Sequence, residues 1–151
     1  MCYGMRDFNE ELINARYHLA VADRMYKGYD KFTDKRFLVG VINELSKAVS
    51  NLIKAFLIYE GFRGGNSLKN MSIFMKTVAP KYFDKLTREN LFKVLEIERA
   101  QKDSPIEYAK DGKIILLIRG TYRFLTATRI EELIKSMKKG IVAFPRNFRH
   151  I

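Results

Sequence analysis

The chain has 151 residues, of which 47% are hydrophobic and 30% are charged, and its net charge at pH 7 is +11. This length is typical of one domain, and the hydrophobic content excludes a disordered protein. The single cysteine, Cys2, cannot form an internal disulfide, and the few His and Cys residues show no metal-ligand spacing. We therefore expect a cytoplasmic protein without a bound metal or cofactor.

Membrane insertion and secretion are not expected from the hydropathy pattern. No apolar run approaches the roughly 20 residues that a membrane-spanning helix needs. The first residues turn acidic where the apolar part of a signal peptide would begin. We therefore predict no membrane span.

The first helix is predicted to begin near Asp7 or Asn9, where Asp7 and Glu10 have the spacing of a capping box. Gly28 and Asp30 are predicted to end it. Apolar residues recur between these limits at steps of three and four, which is typical of one helical face. This stripe consists of Phe8, Leu12, Ala15, Leu19, Ala22 and Tyr26.

The second helix is predicted to begin at Thr33 or Asp34 and to end at the glycine-rich segment 61–65. Its apolar stripe is broad, which indicates contact with more than one neighbour, as at the centre of a bundle. The stripe consists of Leu38, Val41, Leu45, Ala48, Leu52, Ala55 and Tyr59, widened by Ile42, Val49, Ile53 and Phe56. The opposite side carries Asn43, Lys47, Ser50 and Lys54.

Two shorter helices follow in the middle of the chain. The third is predicted to run from Ser67 to Ala79, where Pro80 interrupts it. The fourth is predicted to begin at Thr87 and to end before Pro105, because proline disfavours helical angles in the preceding residue.

The apolar period then changes, and the segments Ile114–Arg119 and Thr121–Thr126 are predicted to form a β-hairpin with a turn at Arg119-Gly120. One continuous helix is the alternative, but Gly112, Gly120 and the β-branched residues disfavour it. We interpret residues 98–125 as a structural break and hairpin that displays basic side chains, rather than as a catalytic loop.

The last helix is predicted to start with a capping box at Thr128 and Glu131 and to end at Pro145. Residues 145–151 form a basic tail. Since no linker or repeat divides the chain, residues 1–151 are interpreted as one domain. The predicted fold is mainly α: an antiparallel bundle of four to five helices, with a short hairpin at about 114–126 before the last helix.

Three segments carry a resemblance to a known family: "NARYHLAVADRM", "LSKAVSNLIKAFLIYEG" and "KDSPIEYAKDGKIIL". They resemble the HEPN superfamily of small helical bundles, and the third is similar to a segment of its archaeal members. This resemblance implies an antiparallel bundle that forms a homodimer. In many members it also implies a metal-independent ribonuclease that uses Arg, then four to six residues, then His.

That ribonuclease motif is missing here, because no arginine stands five to seven positions before His18 or His150. We therefore expect no catalytic residues, with a ribonuclease of atypical site kept as an alternative. His18 precedes core residue Leu19, and we expect it to be a partly buried, hydrogen-bonded boundary residue rather than a base.

The charge is concentrated in residues 76–151, which carry 17 basic and 9 acidic side chains, a net +8. Such an imbalance favours a polyanionic partner, nucleic acid such as RNA first and an anionic membrane surface second. A lysine-rich surface without such a partner, as in some heat-adapted proteins, is the alternative. Tyr122 and Phe124 could stack on bases or pack inward, and we expect Phe124 to anchor the hairpin to the bundle. The candidate nucleic-acid-binding residues are Lys110, Lys113, Arg119, Tyr122, Arg123, Lys135, Lys139, Arg146 and Arg149.

A different kind of function is also open. The family likeness would make the chain a partner of a nucleotidyltransferase or of a toxin–antitoxin component, with its basic face against an acidic protein surface.

Overall fold

The computed structural model describes the backbone of residues 3–32, 35–62, 67–103, 108–110, 113–118 and 120–145, and within these ranges the side chains of 8–31, 36–62, 69–100, 113–115 and 120–145. In chain order the elements are α1 (Tyr3–Phe32), α2 (Lys35–Tyr59), α3 (Ser67–Ile73), a π-helical turn (Phe74–Val78), α4 (Ala79–Tyr82), α5 (Lys85–Asp103), β1 (Tyr108–Lys110), β2 (Lys113–Ile118), β3 (Thr121–Thr126) and α6 (Ala127–Val142).

The architecture is a helical bundle centred on α2. Helix α1 packs along α2, while α5 and α6 pack on each other and on α2, and α6 also contacts α1. The predicted stripes of α1 and α2 are buried, apart from Tyr26 and Tyr59, which are partly buried. The breadth of the α2 stripe is thereby explained, since three helices cover it. The mainly α fold with a hairpin before the last helix is confirmed.

An aromatic cluster closes one end of this core. The ring of Phe56 on α2 lies 4.8 Å from that of Phe144, 5.2 Å from Phe83 and 6.0 Å from Phe74, measured between centroids. Phe144 follows the last turn of α6 and is only 1% exposed. The cluster therefore joins α2, α6 and the short helices between α2 and α5.

Helix α1 is longer than predicted at both ends. It begins at Tyr3 rather than near Asp7, and it continues through Gly28 to Phe32. A β-carbon at Gly28 would lie 3.0 Å from Cε1 of Phe37 on α2. Gly28 therefore permits the close approach of α2 instead of ending α1. The predicted cap residues of α2 lie outside the described residues.

The chain also stays helical past Pro80, contrary to the prediction. The N–H of Ala79 donates to the carbonyl oxygen of Phe74, five residues earlier, which is the bond of a π-helical turn. The π-helical segment places Pro80 in the first turn of α4. Backbone N–H groups in a first turn have no partner within their helix, so the missing N–H of proline costs no hydrogen bond there. The helical path therefore ends at Tyr82 rather than at Ala79.

Two helix starts differ from the predicted ones. The backbone N–H of Thr87 donates to Oδ1 of Asp84 at 2.7 Å, so α5 starts at Lys85 behind an aspartate cap. The cap of α6 is Thr126 rather than Thr128, because Oγ1 of Thr126 accepts from the N–H of Arg129 at 3.1 Å. Thr126 also ends β3, so the hairpin leads directly into α6.

The predicted hairpin is present and forms part of a three-stranded antiparallel sheet in the order β1-β2-β3. Ile118 pairs with Thr121 at the end of the ladder, and Gly120, in the turn between the two strands, has a φ of +76°. Arg119, the other residue of the predicted turn, lies outside the described residues. The short strand β1 was not predicted. Among the helices of the described chain, none has both the length and the apolarity for a membrane crossing.

Candidate nucleic-acid interface and a polar cleft

Among the side chains that the structure describes, those at the base of the hairpin are the ones that pack on the bundle. Ile114 and Leu125, which pair across β2 and β3, are both buried. Toward the turn, Tyr122, Arg123 and Phe124 are all exposed. The outer part of β3 is therefore exposed to solvent.

The expectation that Phe124 anchors the hairpin is wrong. Its side chain is 67% exposed, whereas that of the next residue, Leu125, is 3% exposed. Successive side chains of a strand point to opposite faces, so only one of these two can meet the bundle. Leu125 meets it, and Phe124 is directed to the other face.

The outward face of the hairpin combines aromatic and basic side chains. Tyr122 is 62% exposed and lies two residues from Phe124, hence on the same face about 7 Å away. Ile115 pairs with Phe124 and is partly buried, and Lys113, two residues before Ile115, is exposed. We name Lys113, Ile115, Tyr122 and Phe124 the hairpin face.

The other predicted cations with described side chains lie away from this face. Lys135 and Lys139 are on α6, about 14 and 20 Å along the helix from Thr126. Lys139 lies near Asp84: hydrogen bonds from Thr87 hold the pKa of Asp84 below its usual 3.8, and the charge of Lys139 adds to this shift. The α6 lysines therefore form a group separate from the hairpin face.

The side chains of four further candidates are not described. Lys110 belongs to β1, where its backbone pairs with Lys113. Arg119, Arg146 and Arg149 lie outside the described residues. Their assignment to a nucleic-acid site stays a prediction.

The surface around Lys135 has mixed charge. Its Nζ lies 3.6 Å from Oε1 of Glu131, and Lys138 and Lys27 lie 3.5 and 3.4 Å from Oδ2 of Asp23. These groups line a cleft of about 260 Å³ between α1 and α6. Within it, burial and the charges of Glu131 and Asp30 raise the pKa of Tyr26. Carboxylates offset the lysines here, so this surface suits a polyanion less well than the hairpin face does.

A second, larger cleft of about 570 Å³ lies along the polar side of α2. His18 of α1 and Glu98 of α5 border it. The residues that α2 contributes are Asn43, Ser46, Lys47, Ser50 and Asn51. We name this site the polar cleft.

His18, at the border of the polar cleft, is paired with Glu44, which is not among the described residues that line the cleft. Nδ1 of His18 lies 2.6 Å from Oε2 of Glu44, and their side chains are 22% and 16% exposed. His18 is thus partly buried and hydrogen-bonded, as predicted. On the other side of the same carboxylate, Nζ of Lys47 lies 3.7 Å from Oε1 of Glu44. Among the described residues that line the cleft, none is an arginine.

Glu44 is a residue that the sequence interpretation missed. It is the only acidic residue between Asp34 and Glu60, on a helix whose other charged residues are all basic. Nothing local links it to His18, 26 residues earlier. Groups of three or more potential metal ligands are absent from the part of the chain that the structure describes.

Comparison with known proteins provides no assignment, since neither a family model nor a curated protein nor a solved structure matches this chain. The resemblance to HEPN bundles therefore stays a prediction from the residues.

Proposed function

We propose that this protein is a noncatalytic, HEPN-like helical module that binds single-stranded RNA on the hairpin face. The observation that carries this proposal is the exposure of Tyr122 and Phe124, 62% and 67%, side by side on one face of the hairpin. Two adjacent exposed rings form a contiguous apolar patch, and contiguous patches mark interaction sites more often than singly exposed residues do.

Stacking is the interaction that such a pair supports. Every base has an aromatic face, so two rings about 7 Å apart along a strand can hold bases of a splayed single strand. A double helix hides its base faces, which is why sheet-borne aromatics favour single strands.

Charge supplies the second contribution. Lys113 is exposed on the hairpin face, and Arg123 is exposed on the same strand as the two rings. Residues 76–151, which include the whole hairpin, carry a net charge of +8. This positive charge attracts the phosphate backbone and makes the affinity depend on salt.

The test is the fluorescence anisotropy of a labelled single-stranded RNA of about 10 nucleotides, long enough to cross both rings. Phe124→Ala and Tyr122→Ala should each weaken binding roughly 5- to 150-fold, since a stacked base contributes about 1–3 kcal/mol. Tyr17→Ala is the matched control, because Tyr17 is 63% exposed on α1. An equal loss with Tyr17→Ala would contradict the proposal.

The ionic contribution is tested by repeating the titration between about 50 and 200 mM salt. Lys113→Gln, which removes the exposed cation of the hairpin face, should make the slope of log affinity against log salt shallower by about 1. Arg24→Gln, at an exposed position on α1, removes the same charge elsewhere and should leave the slope unchanged. Affinity that does not change with salt, or no binding at low salt, would exclude the RNA module.

The alternative, a protein partner, predicts a different result when the chain is purified. A protein with an acidic surface, such as a nucleotidyltransferase-type partner, would copurify in a stoichiometric amount and without nucleic acid. The homodimer that the resemblance implies is tested by light scattering, where a mass of about twice 17.7 kDa is expected.

A further inference from the structure

The outer side of α1 carries a stripe of exposed side chains that belongs neither to the hairpin face nor to the polar cleft. Its members recur at steps of three and four residues, which places them on one side of the helix. Ile13 and Tyr17, 62% and 63% exposed, form its apolar part. We name Glu10, Ile13, Tyr17, Ala20 and Arg24, all of them exposed, the α1 stripe.

We propose that the α1 stripe is the contact surface of a homodimer, in which it packs against the same stripe of a second copy with the two α1 helices antiparallel. Steps of three and four residues are the spacing of a coiled-coil seam, along which two helices can stay in contact. The proposal names a surface for the homodimer that the resemblance implies, but it is argued from the described side chains alone and does not depend on RNA binding.

The stripe is accessible to a second molecule. On one side of α1, Nδ1 of His18 lies 2.6 Å from Oε2 of Glu44 on α2. On another side, Oδ2 of Asp23 lies 3.5 Å from Nζ of Lys138 on α6. The helical period places the stripe on the side of α1 that faces away from both of these helices.

The first argument is the apolar surface of the stripe. Ile13 and Tyr17 are four residues apart, so their side chains are neighbours and form one patch. Contiguous apolar patches of this kind mark interaction sites. Ala20, the next residue along the stripe, is small and lets a second helix approach closely.

The second argument is the arrangement of charge, which identifies the partner as a second copy. Glu10 and Arg24 have opposite charges and lie seven residues before and after Tyr17, about 10 Å from it along the helix. When two antiparallel stripes meet at Tyr17, Glu10 of each copy faces Arg24 of the other. Neither residue belongs to an ion pair within the part of the chain that the structure describes.

This arrangement has the symmetry that a two-fold interface requires. In such an interface a first residue contacts a second residue of the other copy, and the second contacts the first in return. Two equal ion pairs would then flank one apolar contact at the two-fold axis. A different protein would have no need for opposite charges at equal distances from one residue.

Charge reversal tests the proposal by analytical ultracentrifugation, where the wild type should have a mass of about twice 17.7 kDa at roughly 100 µM. Glu10→Arg and Arg24→Glu each place like charges opposite each other at both ends of the contact. Each variant should therefore associate at least tenfold more weakly and sediment as a monomer. A monomeric wild type overturns the proposal.

Mixing the two variants is the decisive measurement. An equimolar mixture of Glu10→Arg and Arg24→Glu should sediment as a dimer, because each copy then has the charge that the other has lost. The same result shows that both variants are folded. A mixture that stays monomeric overturns the pairing of Glu10 with Arg24.

Arg99→Glu, at an exposed position on α5, is the matched control, since it reverses the same charge away from the stripe. It should remain a dimer. A dimer that persists in Glu10→Arg and in Arg24→Glu would lie on another surface and would contradict the proposal.

One further variant keeps this proposal separate from that of RNA binding. Tyr17→Ala removes the ring at the centre of the contact, so it should weaken the dimer. It should still bind the 10-nucleotide RNA, because the hairpin face of one copy is enough for an RNA of about that length. A wild type that dimerises without binding RNA would refute only the proposed function.

Discussion

Two sets of aromatic residues in this protein have opposite surroundings. Phe144 and Phe56 lie in the cluster at the end of the bundle, with ring centroids 4.8 Å apart, and both are buried. Phe124 and Tyr122 project from the hairpin and are mostly exposed. The same residue types therefore stabilise the fold at one place and remain available for a ligand at the other. Stability and binding should accordingly respond to different substitutions.

The largest expected effect is that of Phe144→Ala. Removing this ring leaves a cavity beside Phe8, Phe56 and Tyr59, and such changes cost about 3–5 kcal/mol. Phe124→Ala should change the free energy of unfolding by no more than about 0.5 kcal/mol, because the ring is exposed. Urea unfolding followed by circular dichroism measures both, and similar losses in the two variants would refute the contrast.

The next effect concerns a polar contact inside the bundle. Nδ2 of Asn90 on α5 donates to Oγ of Ser136 on α6 at 2.7 Å, and both residues are buried. Ser136→Ala would leave Asn90 with neither of its polar atoms paired, since Oδ1 has no partner already. We expect a loss of about 1–3 kcal/mol by urea unfolding.

A double variant distinguishes this pairing from a simple packing loss. Replacing Asn90 by Leu in the Ser136→Ala background removes the buried amide, so the double variant should be more stable than Ser136→Ala alone. If it is less stable, the shape of Asn90 matters more than its hydrogen bonding.

A smaller effect is expected at the turn of the hairpin. Gly120 has a φ of +76°, a conformation that costs other residues roughly 1–2 kcal/mol. In Gly120→Ala, amide hydrogen exchange should quicken in β2 and β3, while α2 keeps its protection. Thr121→Ala is the neighbouring control and should leave exchange unchanged. Faster exchange throughout the bundle would show that the hairpin and the core unfold together.

The smallest effect is the dependence on pH of the α5 cap. Hydrogen bonds from Thr87 lower the pKa of Asp84 below its usual 3.8, so the stabilisation by this carboxylate is present above that value. This stabilisation is lost as pH falls through the lowered pKa, because the Asp84 carboxylate then becomes protonated in the folded protein as well. Asp84→Ala should therefore be less stable than the wild type at pH 7, with a difference that shrinks below 3.8.

Asp84→Asn completes that comparison. Asparagine caps helices well but has no titratable group, so this variant should retain most of the stability at pH 7 and lose the dependence on pH. If the difference in the free energy of unfolding between the wild type and Asp84→Ala does not change with pH, the charge of Asp84 has no part in capping.

Much of the bundle was predictable because its signals are local. Apolar residues at helical spacing identified the buried faces of α1 and α2, and the change to a β-branched run identified β2 and β3. Helix ends were less predictable. Glycine often ends a helix, but Gly28 lies inside α1, where the absence of a side chain permits close contact with Phe37. Pro80 is tolerated because a π-helical turn precedes it.

The hairpin face and the polar cleft also differ in how far they could be predicted from the sequence. Tyr122, Arg123 and Lys113 were singled out from composition and spacing, and the structure places them on the hairpin. Whether they lie close to Lys135 and Lys139 could not be predicted. In the structure the α6 lysines are separate from the hairpin residues. The pairing of His18 with Glu44 joins residues 26 apart, so no local pattern could indicate it.

Which side chains share a face follows from the order of the amino acids, through the 3.6-residue period of a helix and the two-residue period of a strand. Which of those faces is covered depends on how the elements pack in three dimensions. Leu125 and Phe124 are equally apolar neighbours on opposite faces, and the bundle buries the first and exposes the second. Burial depends on which elements pack together, and that packing is a property of the whole chain.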